Sequence, residues 1–207
     1  MIDQQVRAWD VFDPEVLAVL ASVPREQFVP AGYEPLAFAD TAIPIGHGES
    51  MLRPTIEGRL LQSLQLDGTE RVLEVGTGTG FLAACLARLA DSVVSIDIYD
   101  DFLNQAGQNL EDTGIRNVEF ISMDATRDLP AGQFDAIAVN GNPGVATLTN
   151  ANFNIGGDNA ADGNWIVSPS QALDIDAISG GRFVVANNDL LQGSAAIEFE
   201  QTISNNA

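Results

Sequence analysis

The chain has 207 residues, enough for one domain with a sizeable core, and 45% of them are hydrophobic. Its formal net charge is −20, and all nine basic residues are Arg. Such a surface repels phosphate backbones and anionic membranes, which argues against nucleic acid and membrane as partners. Adaptation to high salt, compositional drift and design are each compatible with that charge. No run is apolar and long enough to cross a bilayer. Met1 to Gln5 lacks the basic and apolar regions of a signal peptide, so a cytoplasmic location is expected. The single cysteine, Cys85, allows no intrachain disulfide and is expected to be a small core residue. The single histidine, His47, cannot build a multi-histidine metal site, and no metal is expected.

Residues 3–23 have a helical pattern. Asp13-Pro14-Glu15 is a helix start, with an N-cap acid, Pro at the first helical position and an acid in the first turn. Val16, Leu17, Val19 and Leu20 supply its apolar face. A loop-rich stretch runs from Tyr33 to Asp40 and on through Ile43-Pro44-Ile45-Gly46-His47-Gly48. In that Gly-His-Gly turn His47 is expected to set the loop's shape through hydrogen bonds; contact with a ligand is the alternative. Pro54 is expected to open a second helix that buries Ile56, Leu60, Leu61 and Leu64.

Residues 71–140 alternate strand and helix. Strands are expected at Arg71–Val75, Ser92–Asp97, Asn117–Met123 and Phe134–Val139, with helices at Phe81–Leu89 and about Asp101–Asp112. That alternation implies βαβ units, a parallel sheet and ligands at the carboxyl ends of its strands. Between the first strand and helix lies Glu74-Val75-Gly76-Thr77-Gly78-Thr79-Gly80. Its glycines permit positive φ and close approach of a ligand to the backbone. The helix behind it offers free N–H groups and a positive dipole end. A ligand-free βα turn is the plain alternative. The spacing resembles motif I of the Rossmann-like S-adenosylmethionine methyltransferases rather than the G-x-G-x-x-G of dinucleotide folds. Asp97 ends the second strand, where an acid accepts hydrogen bonds from ribose hydroxyls; a helix cap is its other reading. Asp124 ends the third, placed to accept from an adenine amino group, or to serve as a turn residue. The pairs Asp100-Asp101 and Asp174/Asp176 read as solvated faces or caps.

The N-terminal half sharpens this. Gln4-Gln5-Val6-Arg7, Val23-Pro24-Arg25 with Phe28-Val29-Pro30, Ala39-Asp40 and Ile43 to Gly48 resemble the protein-L-isoaspartate O-methyltransferases. With Arg71–Gly80, Ser95–Ile98 and Phe134–Val139, the resemblance covers residues 1 to about 140. It implies a class I methyltransferase fold, α/β with a mostly parallel central sheet flanked by helices. It also implies S-adenosyl-L-methionine as donor and, as acceptor, a protein or peptide with isoaspartyl residues. The cofactor set it implies is Glu74, Gly76, Thr77, Gly78, Gly80, Asp97, Ile98, Asp124 and Ala125, with Glu74 stabilising the loop. One position departs from the family. The pattern after Ile-Gly-His-Gly usually reads Gln-Thr-Ile-Ser, and its serine is taken as the active-site residue; here Leu52 stands there. The catalytic residue is therefore unassigned. Ser50 and Arg53 are the nearby polar candidates, Arg53 as a carboxylate clamp or as a solvated surface residue. A methyltransferase for another small carboxylate or hydroxyl substrate, and a non-catalytic cofactor-binding domain, remain open.

Composition shifts after Val139. Residues 1–139 hold three Asn and eight Arg, and residues 140–207 hold eleven Asn and one Arg. Strand-like fragments are expected at Trp165–Val167, Leu173–Ile178, Arg182–Ala186 and Ala196–Ile203, with a long loop at 141–163. Ser179-Gly180-Gly181-Arg182 resembles the family's turn into its fifth strand. The expected organisation is one domain. Residues 1–65 form a helical, substrate-side extension, 66–140 the cofactor-binding core, and 141–207 a divergent β-rich end, either completing the sheet or foreign to it. Oligomeric state is not legible.

Overall fold

The computed structural model describes residues 1–125, 127, 129–132, 134–140, 165–167, 182–186 and 197–198. The expected loop at 141–163 and strand at Leu173–Ile178 lie outside those residues, as does most of Ala196–Ile203.

The helix expected over 3–23 is broken. A π turn at Ile2–Val6 and a 3-10 turn at Arg7–Trp9 come first, and α1 runs only over Pro14–Ser22. Asp10 takes a left-handed φ of 63° and ends the first segment. Beyond it, Phe12 and Asp13 donate their N–H groups to the Gln62 Oε1, so that backbone is satisfied outside any helix. Asp13 then caps α1, accepting from the N–H groups of Glu15 and Val16.

A hairpin follows, where the sequence pattern implies loop. Strand β1 (Ile43–Gly46) pairs antiparallel with β2 (Glu49–Met51), with His47 and Gly48 at the tip. Helix α2 (Pro54–Leu64) begins at the proline that fixes φ at its first position, and buries Ile56, Leu60, Leu61 and Leu64.

The main sheet is α/β and mostly parallel. Strand β3 is Arg71–Val75, α3 is Phe81–Leu89, β4 is Ser92–Asp97, α4 is Asp100–Asp112, β5 is Val118–Ser122 and β6 is Ala136–Asn140. Three strands complete it: β7 (Trp165–Val167), β8 (Arg182–Ala186) and β9 (Ile197–Glu198). The order is β5-β4-β3-β6-β8-β7-β9, and only β7–β9 is antiparallel. The chain winds outward through β4 and β5, then returns to the other side of β3. The strand order therefore reverses between β3 and β6, and the carboxyl ends at such a switch point are where α/β sheets take ligands.

Side-chain alternation divides the core. Val72, Val93, Ala136 and Ala138 face one layer with α1, α2 and α3. Leu73, Val94, Ile96 and Ile137 face the other. Among the described residues no helix is long and apolar enough to cross a membrane.

Candidate cofactor and active site

The parallel register sets Glu74 opposite Ser95 on the face that packs on α3. Both are fully buried, and Ser95 Oγ donates to Glu74 Oε2. Thr77 folds back from the loop to put its Oγ1 2.6 Å from Ser95 Oγ. One chain of hydrogen bonds thus fastens the glycine loop to the strands. The other carboxylate oxygen, Glu74 Oε1, is buried with no hydrogen-bond partner. Burial pushes the Glu74 carboxyl up to about 8, while the Ser95 hydroxyl pulls it the other way. A serine within the apolar run Val93-Val94-Ser95-Ile96 was the available signal for this chain.

The loop has the backbone that its glycines permit. At Gly76, φ is 96° and a Cβ would lie 1.8 Å from the Asn140 carbonyl oxygen at the end of β6. Gly80, at φ 83°, caps α3 without any side-chain cap, so the helix's first N–H groups have no side-chain acceptor. The Asn109 side chain reaches from α4 to donate to the Thr79 carbonyl, a restraint with no separate mark in the sequence.

Asp97 sits at the tip of β4. Its Oδ2 accepts from the Gly78 N–H at 3.1 Å and its Oδ1 from the Tyr99 N–H at 3.0 Å. Burial raises its pKa, against the pull of the N–H groups of Tyr99, Gly78, Ile98 and Thr77. It therefore joins loop and turn. Ile98 beside it is 58% exposed, an apolar side chain bare at the strand tips. Asp124 follows β5 and pairs with Arg127 at 3.1 Å. Ala125 is half-buried against the second core layer. A nucleoside-type ligand fits this set. The set offers a helix N-terminus without a side-chain cap, a loop with glycine backbone, an acid at a strand tip and an exposed apolar side chain.

The substrate-side candidates are less uniform. Leu52 is 2% exposed and packs in the main core, so the position of the family's serine is a core position here. Ser50 is half-buried in the hairpin opposite Pro44. Arg53 is half-buried and precedes Pro54 at the start of α2.

A buried ion pair supports this edge, and the sequence reading missed it. Arg25 is fully buried and donates to Glu57, to the Leu52 carbonyl at 2.6 Å and to the Ala37 carbonyl at 2.7 Å. Its guanidinium also lies 4.6 Å from the Phe81 ring centroid, at the first residue of α3. Burial pushes the Glu57 carboxyl up to about 7, against the attraction of Arg25. An arginine set between Val23-Pro24 and Phe28-Val29 was the available clue. Among the described residues no group of His, Cys, Asp and Glu is arranged to hold a metal.

The family model "Protein-L-isoaspartate(D-aspartate) O-methyltransferase (PCMT)" matches residues 1–150. The chain belongs to this family. A PCMT relative from Rhodopseudomonas palustris (strain HaA2), protein-L-isoaspartate O-methyltransferase 1, is 40% identical over 159 residues, 76% of this chain and 65% of that protein. One from Methanoculleus marisnigri is 38% identical over 140 residues, 67% of this chain and 64% of that protein. The match thus spans less than two thirds of either relative. A solved protein-L-isoaspartate O-methyltransferase superposes with TM-score 0.57 at 27% identity, over 65% of this chain and 45% of that one. A Plasmodium falciparum PCMT solved in complex with S-adenosyl-L-homocysteine gives TM-score 0.53 at 22% identity, over 65% of this chain and 69% of that one, a likeness of fold. The expected fold class and family thus stand.

Proposed function

We propose that the chain is an S-adenosylmethionine-dependent carboxyl O-methyltransferase that acts on isoaspartyl residues of proteins or peptides. The observation that carries this is the set of groups at the strand tips of a PCMT-family fold: Gly76 to Gly80, Asp97 and Ile98. In this reading Asp97 accepts from the ribose hydroxyls, and Ile98 and Ala125 flank the base. Asp124 turns from Arg127 to the adenine amino group. Glu74 and Thr77 hold the loop in shape through Ser95. The bound cofactor supplies a methyl group on a sulfonium centre.

The acceptor is a carboxylate with an ordinary pKa of about 4, ionised at neutral pH, so no general base is required of the protein. Its task is alignment, which is where most of the rate of such a transfer originates. The hairpin and the 52–54 turn bound the acceptor side. Arg25 fixes that turn by holding the Leu52 carbonyl. Ser50 and Arg53 are the polar groups available there to orient a carboxylate. Location in the cytoplasm and action as one domain belong to the same proposal.

Methyl transfer to an isoaspartyl peptide, compared with the matching aspartyl peptide, tests the acceptor. Strong preference for the isoaspartyl form is expected. Equal, low turnover on both would refute isoaspartyl repair. It would favour a different small carboxylate or hydroxyl acceptor, the second reading that Leu52 motivates.

A further inference from the structure

The tip of the hairpin is fastened to the turn between β4 and α4. The His47 ring lies on Tyr99 with centroids 3.9 Å apart and planes 10° from parallel. It meets Phe102 at 5.2 Å and 82°, and Tyr99 and Phe102 meet edge-to-face at 5.4 Å. His47 Nε2 is 2.9 Å from Asp101 Oδ2 and 3.2 Å from Oδ1. That contact holds the Asp101 carboxyl below its ordinary range. His47 makes these contacts from a left-handed φ of 53°, an uncommon conformation for a residue with a Cβ. The tip is therefore bent toward Tyr99 at some conformational cost, offset by the stack and the Asp101 contact.

Both ends of this bridge touch segments read above as cofactor-binding. Tyr99 donates its N–H to Asp97 and follows the exposed Ile98. On the hairpin's first strand, Ile45 Cδ1 lies 3.2 Å from where a Cβ on Gly78 would stand. The hairpin thus spans from the glycine loop to the residue after Ile98.

We propose that His47 is a positioning residue for cofactor retention. Its clasp on Tyr99 and Asp101 holds the hairpin against the glycine loop and slows release of the bound nucleoside. The proposal rests on the reading of the strand tips as an S-adenosylmethionine site.

The test is the dissociation rate of labelled S-adenosylhomocysteine from the full chain, chased with excess unlabelled ligand. His47→Ala is expected to release it about tenfold faster, the scale set by loss of one aromatic stack and one exposed hydrogen bond. Its ligand-free melting temperature should fall by only a few degrees, since the same contacts add modestly to stability without ligand. Tyr99→Phe, which keeps the ring, should release at the wild-type rate, and Tyr99→Ala, which leaves the His47–Asp101 contact, should release faster than wild type but no faster than His47→Ala. The double variant should be no faster than His47→Ala, because both remove one clasp. Release from His47→Ala within about twofold of wild type, or effects that multiply in the double variant, would overturn the clasp alone. Failure of the wild-type chain to bind the probe at all would overturn both the clasp and the strand-tip site.

Discussion

Glu74 gives the sharpest handle on the cofactor loop. Its carboxyl is buried, shares a hydrogen bond with Ser95, and is pushed by burial from 4.5 to about 8. In the unfolded chain it loses its proton near pH 4.5; in the folded chain it keeps it until about pH 8. Between those values the folded state binds one more proton than the unfolded state. Stability therefore falls as pH rises, by roughly 1.4 kcal/mol per pH unit from this one group. Over the whole window that amounts to at most roughly 5 kcal/mol. Glu74→Gln removes the titration and keeps an acceptor for Ser95. It adds an NH₂ that needs a partner, a cost of about 1–3 kcal/mol at any pH. The variant should therefore be less stable than wild type at pH 5 and equal or more stable at pH 8.5. Urea midpoints of both proteins across that range measure it. The difference isolates Glu74, because repulsion among the other acids is common to both. Parallel curves would refute the argument and mean that Glu74 is ionised at neutral pH.

Other consequences are simpler to read. Leu52→Ser, which restores the family's residue, should cost about 3–5 kcal/mol in urea unfolding, because it empties a core position and buries a hydroxyl. It should not raise methyl transfer, and faster turnover would contradict the core placement of Leu52. Gly76→Ala should cost more than about 3 kcal/mol, since its Cβ would meet the Asn140 carbonyl at a φ of 96°; a near-wild-type urea midpoint would contradict the close approach. At a net charge of −20, raising KCl from 0.1 to 1 M should raise the melting temperature, as the screening length falls from about 10 to about 3 Å. A flat or falling melting temperature would show that self-repulsion does not limit stability.

The parts of this protein legible in its sequence are those governed by short-range periodicity. Strands β3 and β4 and helix α3 have the bounds their apolar runs imply, because neighbouring strands and helices bury both faces. The hairpin was not legible: Ile43-Pro44-Ile45-Gly46 is too short and too broken by Pro and Gly to carry a strand pattern, and only pairing with β2 defines it. The break at Asp10 was hidden for a similar reason, since it depends on Gln62, some fifty residues away. In the site, the acids at strand ends could be placed from chain order alone. Their partners could not. Glu74 with Ser95, Arg25 with the Leu52 carbonyl, and His47 with Tyr99 are each set by register or packing between distant segments. Leu52 was recognised as a departure from the family pattern, but only the packing shows that its position is a core position.

The measurement that bears most directly on the central claim is calorimetric titration of the wild-type chain and Asp97→Ala with S-adenosylmethionine. One site is expected in the wild type, and affinity at least tenfold weaker in the variant, the scale of a lost charge-assisted hydrogen bond of about 1.5–3 kcal/mol. Absence of binding by a cooperatively folded wild-type protein, or equal affinity in the two, would contradict it and leave the glycine loop as a turn.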